Sequence, residues 1–259
     1  MRNVLRRVLV LLLPAVAACS SGDSTGASAT GRLVVQLATR QMGQSGTPAA
    51  SADVTVTKGT DVIVISSVQL VARKIELERV DGACPASGPS GDLEDEEDDS
   101  PECPDLKLGP LLLTPPLGPG AQSFFTVDVP VGTYREVKLQ IHRPTSDPSD
   151  AAFLAANPGF MGVSIKVTGT FNGAPFTFTT GLTTEVEMEL STPIEVQTAG
   201  PTDITIFMDV TGWFLAEGGS SLVSPLSLTI DGRERINENI RRSFRAFEDE
   251  DQDGGDDRD

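Results

Sequence analysis

The clearest pattern in the chain is strict alternation. From Glu185 to Leu190, Val186, Met188 and Leu190 point to one side of an extended backbone and Glu185, Glu187 and Glu189 to the other. A period of two with one apolar side is the signature of a strand that buries one face. Val137, Leu139 and Ile141 oppose Lys138, Gln140 and His142 in the same way, and Val163, Ile165 and Val167 oppose Ser164, Lys166 and Thr168. Ile204, Ile206, Met208 and Val210 continue the series, with Trp213 and Phe214 beyond Gly212 as core or rim packing. Further candidate strands are Leu33 to Ala38, Val54 to Thr57, Val62 to Val80 with a break near Ser66, Leu106 to Leu113, Phe124 to Val129 and Phe176 to Thr180. Asn172-Gly173 between two such runs predicts a two-residue hairpin, because both residues tolerate positive φ.

So many strands with short connections predict an all-β fold, a mainly antiparallel β-sandwich spanning residues 32–235. Helix is scarce. Ser149 to Asn157 predicts a short inserted helix after Pro148, and Ile236, Ile240, Phe244 and Phe247 share one face of a predicted C-terminal amphipathic helix over 236–247. The remaining segments are polar: 19–31, a tether without apolar periodicity; 84–105, an acidic loop; and 248–259, an acidic tail.

The N-terminus follows another logic. Arg2, Arg6 and Arg7 precede an apolar run from Val8 to Ala18, about half the roughly 20 residues that cross a bilayer as a helix. Residues 1–18 therefore read as a removable signal peptide. Val16-Ala17-Ala18-Cys19 resembles the lipobox of bacterial lipoproteins, which implies that Cys19 accepts diacylglycerol, becomes the mature N-terminus and gains a further acyl chain such as palmitate. Two or more chains give stable anchoring. An ordinary secretory signal followed by a chance cysteine is the alternative. Ser20 in the next position implies the outer membrane, in a host that has one.

With Cys19 assigned to lipid, Cys84 and Cys103 remain as a pair, and an exported compartment permits a disulfide worth on the order of 3 kcal/mol. Two free thiols are the alternative. A zinc site is excluded, since neither cysteine sits in a CxxC spacing and His142 is the single histidine. The formal net charge is −17, concentrated in residues 92–105, with nine Asp and Glu, and residues 248–259, with eight. A body this poor in clustered cations disfavours nucleic acid, and an anionic leaflet would repel it, so attachment rests on lipid.

Pro130-Val131-Gly132-Thr133-Tyr134, leading into the strand that ends at His142, resembles the PxGxY turn-and-strand of prealbumin-like (transthyretin-like) β-sandwich domains of unknown function in bacterial surface lipoproteins. The resemblance covers about Leu33 to Leu215 and implies a sandwich without catalytic residues. Physically, Pro and Gly shape the turn, and Tyr134 can bury its ring while its hydroxyl finds a partner.

Candidate chemistry is concentrated at the C-terminus. Asp249, Asp251 and Asp253 alternate before Gly254, and Asp257 follows at the ninth position, the first half of a calcium loop of the EF-hand or thrombospondin type 3 kind. The twelfth-position carboxylate is missing because the sequence ends at Asp259, and a solvated acidic tail is the alternative reading. Catalytic residues are expected to be none: there is no GxSxG, no HExxH and no phosphate-cradling glycine loop, and His142 reads as a surface residue. The function expected is a non-enzymatic, lipid-anchored binding module for an unknown protein or polymer of the cell envelope. A hydrolase working with two carboxylates on the sandwich face, or a purely structural envelope component, is the alternative.

Overall fold

A computed structural model describes residues 29–39, 53–80 and 106–248. The fold is the expected all-β sandwich, mostly antiparallel, with one short inserted helix and a longer C-terminal one. Cys19, the Cys84 and Cys103 pair, the acidic loop and the candidate calcium ligands Asp249, Asp251, Asp253 and Asp257 lie outside the described residues.

The strands are β1 (Thr30–Ala38), β2 (Val54–Lys58), β3 (Asp61–Arg79), β4 (Leu106–Leu113), β5 (Gln122–Pro130), β6 (Gly132–Ile141), β7 (Ile165–Phe171), β8 (Ala174–Thr180), β9 (Thr184–Val196), β10 (Pro201–Met208) and β11 (Phe244–Glu248). One sheet runs β11-β10-β1-β5 and the other β8-β7-β3-β6-β9, with β2 and β4 also on β3. All pairs are antiparallel except β1 with β10. The apolar side chains of both sheets meet in one core. Leu33, Val35 and Leu37 from the first face Ile63, Leu139, Ile165, Val186 and Ile194 from the second, all buried.

The long strand β3 is the spine of the larger sheet. Its first half pairs with β2 and β7, and its second half with β4 and β6. The break expected near Ser66 is a register shift between Ile65 and Ser67, so the strand bends without ending. Gly169 sits opposite that bend, where a Cβ would lie 1.9 Å from the Val64 carbonyl oxygen. Only glycine allows so close a backbone approach. The β7–β8 hairpin has the predicted turn, with φ of 50° at Asn172 and 82° at Gly173. Asn172 also ties the hairpin to β3, accepting from Val62 N at 2.8 Å and donating to Asp61 at 2.9 Å.

The C-terminal helix is displaced from its predicted position. It is α2, Ile230–Arg241, and the expected helix over 236–247 gives way to β11 at Phe244. Thr229 caps it, its hydroxyl accepting from Gly232 N at 3.0 Å. Ile236 and Ile240 are buried as expected. Beyond Ser243, however, the chain gains more by extending: β11 pairs with β10 and buries Phe244 and Ala246 on one side while Arg245 stays exposed. The fourfold spacing from Ile240 to Phe244 suits a helix, but the alternation from Phe244 to Ala246 suits a strand, and an unpaired edge of β10 decides between them. The inserted helix, α1 (Ala151–Ala156), stands where expected, after a 3₁₀ turn at Pro148–Asp150.

Candidate functional site

Three polar constellations were built up from these elements. The first is the outer face of β3, β6 and β9. Glu76 and Glu78, Glu136 and Lys138, and Glu185, Glu187 and Glu189 lie on adjacent strands in register. Glu78 accepts from Arg135 and is shared by Lys138 at 3.6 Å. Its hydrogen bonds with Arg135 and Glu136 hold its carboxyl below the usual range. Partial burial, and then the bond to Glu78, pushes Glu136 up to about 7. The two carboxyls are hydrogen-bonded to each other, whereas glycoside hydrolysis needs them about 5 to 10 Å apart across a substrate. Their cationic neighbours and the open sheet face give them no enclosed place to work.

The second surrounds His142, expected at the surface and found mostly covered, because the inserted segment from Pro144 to Phe160 folds over the end of β6. His142 Nε2 meets both oxygens of Asp150, at 2.9 and 3.0 Å, and Asp150 is fully buried. Asp150 also accepts from Thr145 N at 2.8 Å, and Arg73 reaches Ser149 Oγ at 3.0 Å. Asp147 accepts from Ser149 N at 2.8 Å, and that bond holds its carboxyl below the ordinary range. Every carboxylate here is engaged in shaping the turn. This is a latch that fixes the insertion to the split between β6 and β7.

The third is a cleft of about 480 Å³ at the end of the smaller sheet. Trp213, the largest fully buried side chain among the described residues, follows the lining residue Gly212. The indole Nε1 donates to Ser243 Oγ at 2.8 Å, and that hydroxyl donates to Ile240 O at 2.7 Å, so the residue joining α2 to β11 is fixed from both sides. Asn239 on α2 donates to Trp213 O at 3.1 Å and to Leu215 O at 2.8 Å. One wall is a narrow loop. Val223 N donates to Phe214 O, Leu215 pairs with Leu222, and Gly218 and Gly219 make the turn with φ of 74° and 68°, conformations that only glycine adopts cheaply.

Across the opening stand Arg235 of α2, Arg242 just past its end and Arg245 of β11, with Phe207 of β10 and Asp209 just beyond it. Arg235 meets Glu217 at 3.3 Å, and Arg242 meets Glu238 at 2.5 Å. Asp209 accepts from the backbone N and the hydroxyl of Thr211. Arg245 has no ion-pair partner among the described residues. A second concavity, about 650 Å³ along the β9–β10 turn, is walled by Glu195, Asp203 and Glu248 and by no basic residue.

No family model, curated protein or solved structure matches this chain. Among the described residues no group of three His, Cys, Asp or Glu side chains is arranged to hold a metal ion, and no helix is long and apolar enough to cross a membrane. Trp213 and Phe214 are both buried, Phe214 edge-on to Phe176 and Phe178, as core packing. The arginines of the cleft escaped the sequence reading. Their signal was present: five of the chain's fifteen arginines fall between Arg233 and Arg245, masked by an acidic total.

Proposed function

We propose that this chain is a non-enzymatic, lipid-anchored binding module of a bacterial cell envelope, and that the cleft between α2, the Trp213–Gly219 segment and β11 is its binding face. The observation that carries the reading is the construction of the cleft. Its lining is locked by Asn239, Ser243 and Trp213 through hydrogen bonds that a solvent-exposed groove does not need, and its size falls within the 300–1,000 Å³ typical of ligand sites. Rigid support of this kind lowers the entropic cost of binding.

The anchor rests on the Cys19 lipobox and the polar tether behind it. The prealbumin-like reading rests on the Pro130–Tyr134 turn alone. Tyr134 is buried, its hydroxyl donates to Pro130 O at 2.6 Å, and Arg79 covers its ring while donating to Val131 O at 3.2 Å. Gly132 makes room for that guanidinium, since a Cβ there would lie 2.7 Å from it. A structural envelope component would have no use for a preorganised cleft, and the hydrogen-bonded pair Glu78–Glu136 does not favour the hydrolase.

Affinity capture from a detergent-solubilised envelope fraction tests the proposal, comparing the wild-type chain with Ala216→Trp, which fills the cleft from its rim. Specific capture should be lost in the variant. Capture that the indole does not disturb would refute the cleft as the binding face.

A further inference from the structure

The cleft is cationic in a chain that is otherwise acidic. Arg235, Arg242 and Arg245 line it against two carboxylates, Asp209 and Glu217, and both carboxylates have partners of their own. Glu217 is almost wholly exposed, so its pair with Arg235 is the screened surface kind, worth little and easily exchanged. Arg242 is held by Glu238 outside the cleft, and Arg245 has no ion-pair partner among the described residues. Arginines at the C-terminal end of a helix can simply answer its dipole, and that explanation suffices for Arg241 and Arg242. It does not reach Arg245, which stands on a strand, or Arg235, which stands in mid-helix.

We propose that the cleft is an oxyanion site: Arg242 and Arg245 take a carboxylate or phosphate group of an envelope molecule, and the ring of Phe207 covers the part of the ligand next to it. The inference rests on the cleft being the binding face. A planar guanidinium with two parallel donors matches both oxyanions, and the surrounding negative field makes an isolated cationic cleft selective for a small, concentrated charge. A membrane surface is disfavoured, because its anionic headgroups would face the acidic remainder of the chain.

The test is calorimetric titration of the full chain held in phosphatidylcholine nanodiscs with pyrophosphate, with citrate, and with vesicles containing phosphatidylglycerol. The wild type is compared with Arg242→Glu/Arg245→Glu and with Lys58→Glu on the remote β2–β3 hairpin. All three substituted side chains are at least partly exposed, and unchanged thermal unfolding will establish that the variants fold. Pyrophosphate or citrate should bind the wild type and Lys58→Glu alike, weaken by at least about tenfold in the double variant, and weaken with added salt. Binding of neither oxyanion, equal binding by both variants, or binding of vesicles alone would overturn the proposal. Envelope capture that Ala216→Trp abolishes but the double variant retains would overturn only the oxyanion site and leave the cleft as the binding face.

Discussion

Asn239 is the residue on which the shape of the cleft depends most. Both hydrogens of its amide are committed, at 3.1 Å to the Trp213 carbonyl and 2.8 Å to the Leu215 carbonyl, so it staples the cleft lining to α2. Each such bond contributes about 1 kcal/mol net, so Asn239→Ala should cost about 2 kcal/mol. For a domain of this size that lowers Tm by roughly 4 to 8 °C. Asn239→Asp separates the staple from simple truncation. It keeps the shape but sets a carboxylate against two carbonyl oxygens, so at pH 7 it should be less stable than Asn239→Ala. Its folded-state pKa must then lie above the unfolded value. Protonation restores a donor, and the penalty should fade as the pH falls through the raised folded-state value and be largely gone by about 4. Thermal denaturation of the three proteins at pH 7 and pH 4 reads this directly. Asn239→Asp as stable as wild type at pH 7 would refute the assignment of both carbonyls to the amide hydrogens.

Three further outcomes follow from the described geometry and the tail sequence. Glu136 has a folded pKa of about 7 against an ordinary value of 4.5, so its protonated form favours the native state, and stability should fall as pH rises from 4.5 to 7. Glu136→Gln should flatten that slope and gain about 1 kcal/mol at pH 8, well short of the full shift because the carboxyl is partly exposed; an unchanged slope in denaturant titrations would contradict this. Gly169→Ala should cost about 3 kcal/mol because its methyl meets β3 backbone, while Gly132→Ala should cost about 1 kcal/mol because it meets only the movable end of Arg79; equal Tm losses would count against the bend at Ile65 as a fixed feature. Calcium titrated into the full chain should give a heat that a chain ending at Phe247 lacks; identical heats would remove Asp249, Asp251, Asp253 and Asp257 as ligands.

Alternation made most of the sheet legible. The runs around Val137, Val186 and Ile204 are strands because a half-buried sheet and a two-residue period state the same constraint. Tyr134 was readable for a similar reason, since a buried phenol beside a Pro-Gly turn needs a nearby acceptor and finds one at Pro130. Ser164 was assigned to a polar face but is fully buried, donating to Thr180 O at 3.0 Å, because it lies in the split beside β6 rather than within β7 proper. The end of α2 was misplaced because Phe244 satisfies two periods at once, and a vacant strand edge, invisible to local pattern, chose the second. The cleft was not legible either. Asp209, Leu215, Arg235 and Arg245 are distant in sequence, and only the turn after β10, the helix and the return strand bring them to one opening.

We propose that this sandwich works tethered to a membrane through Cys19. Mass spectrometry of the mature N-terminal peptide from fractionated cells, with Cys19→Ser alongside, tests that claim most directly. The predicted result is a membrane-bound chain beginning at an acylated Cys19, and a Cys19→Ser chain that is released or left unprocessed. A mature chain that begins elsewhere, or a free Cys19 thiol in a chain that stays on the membrane, would contradict it.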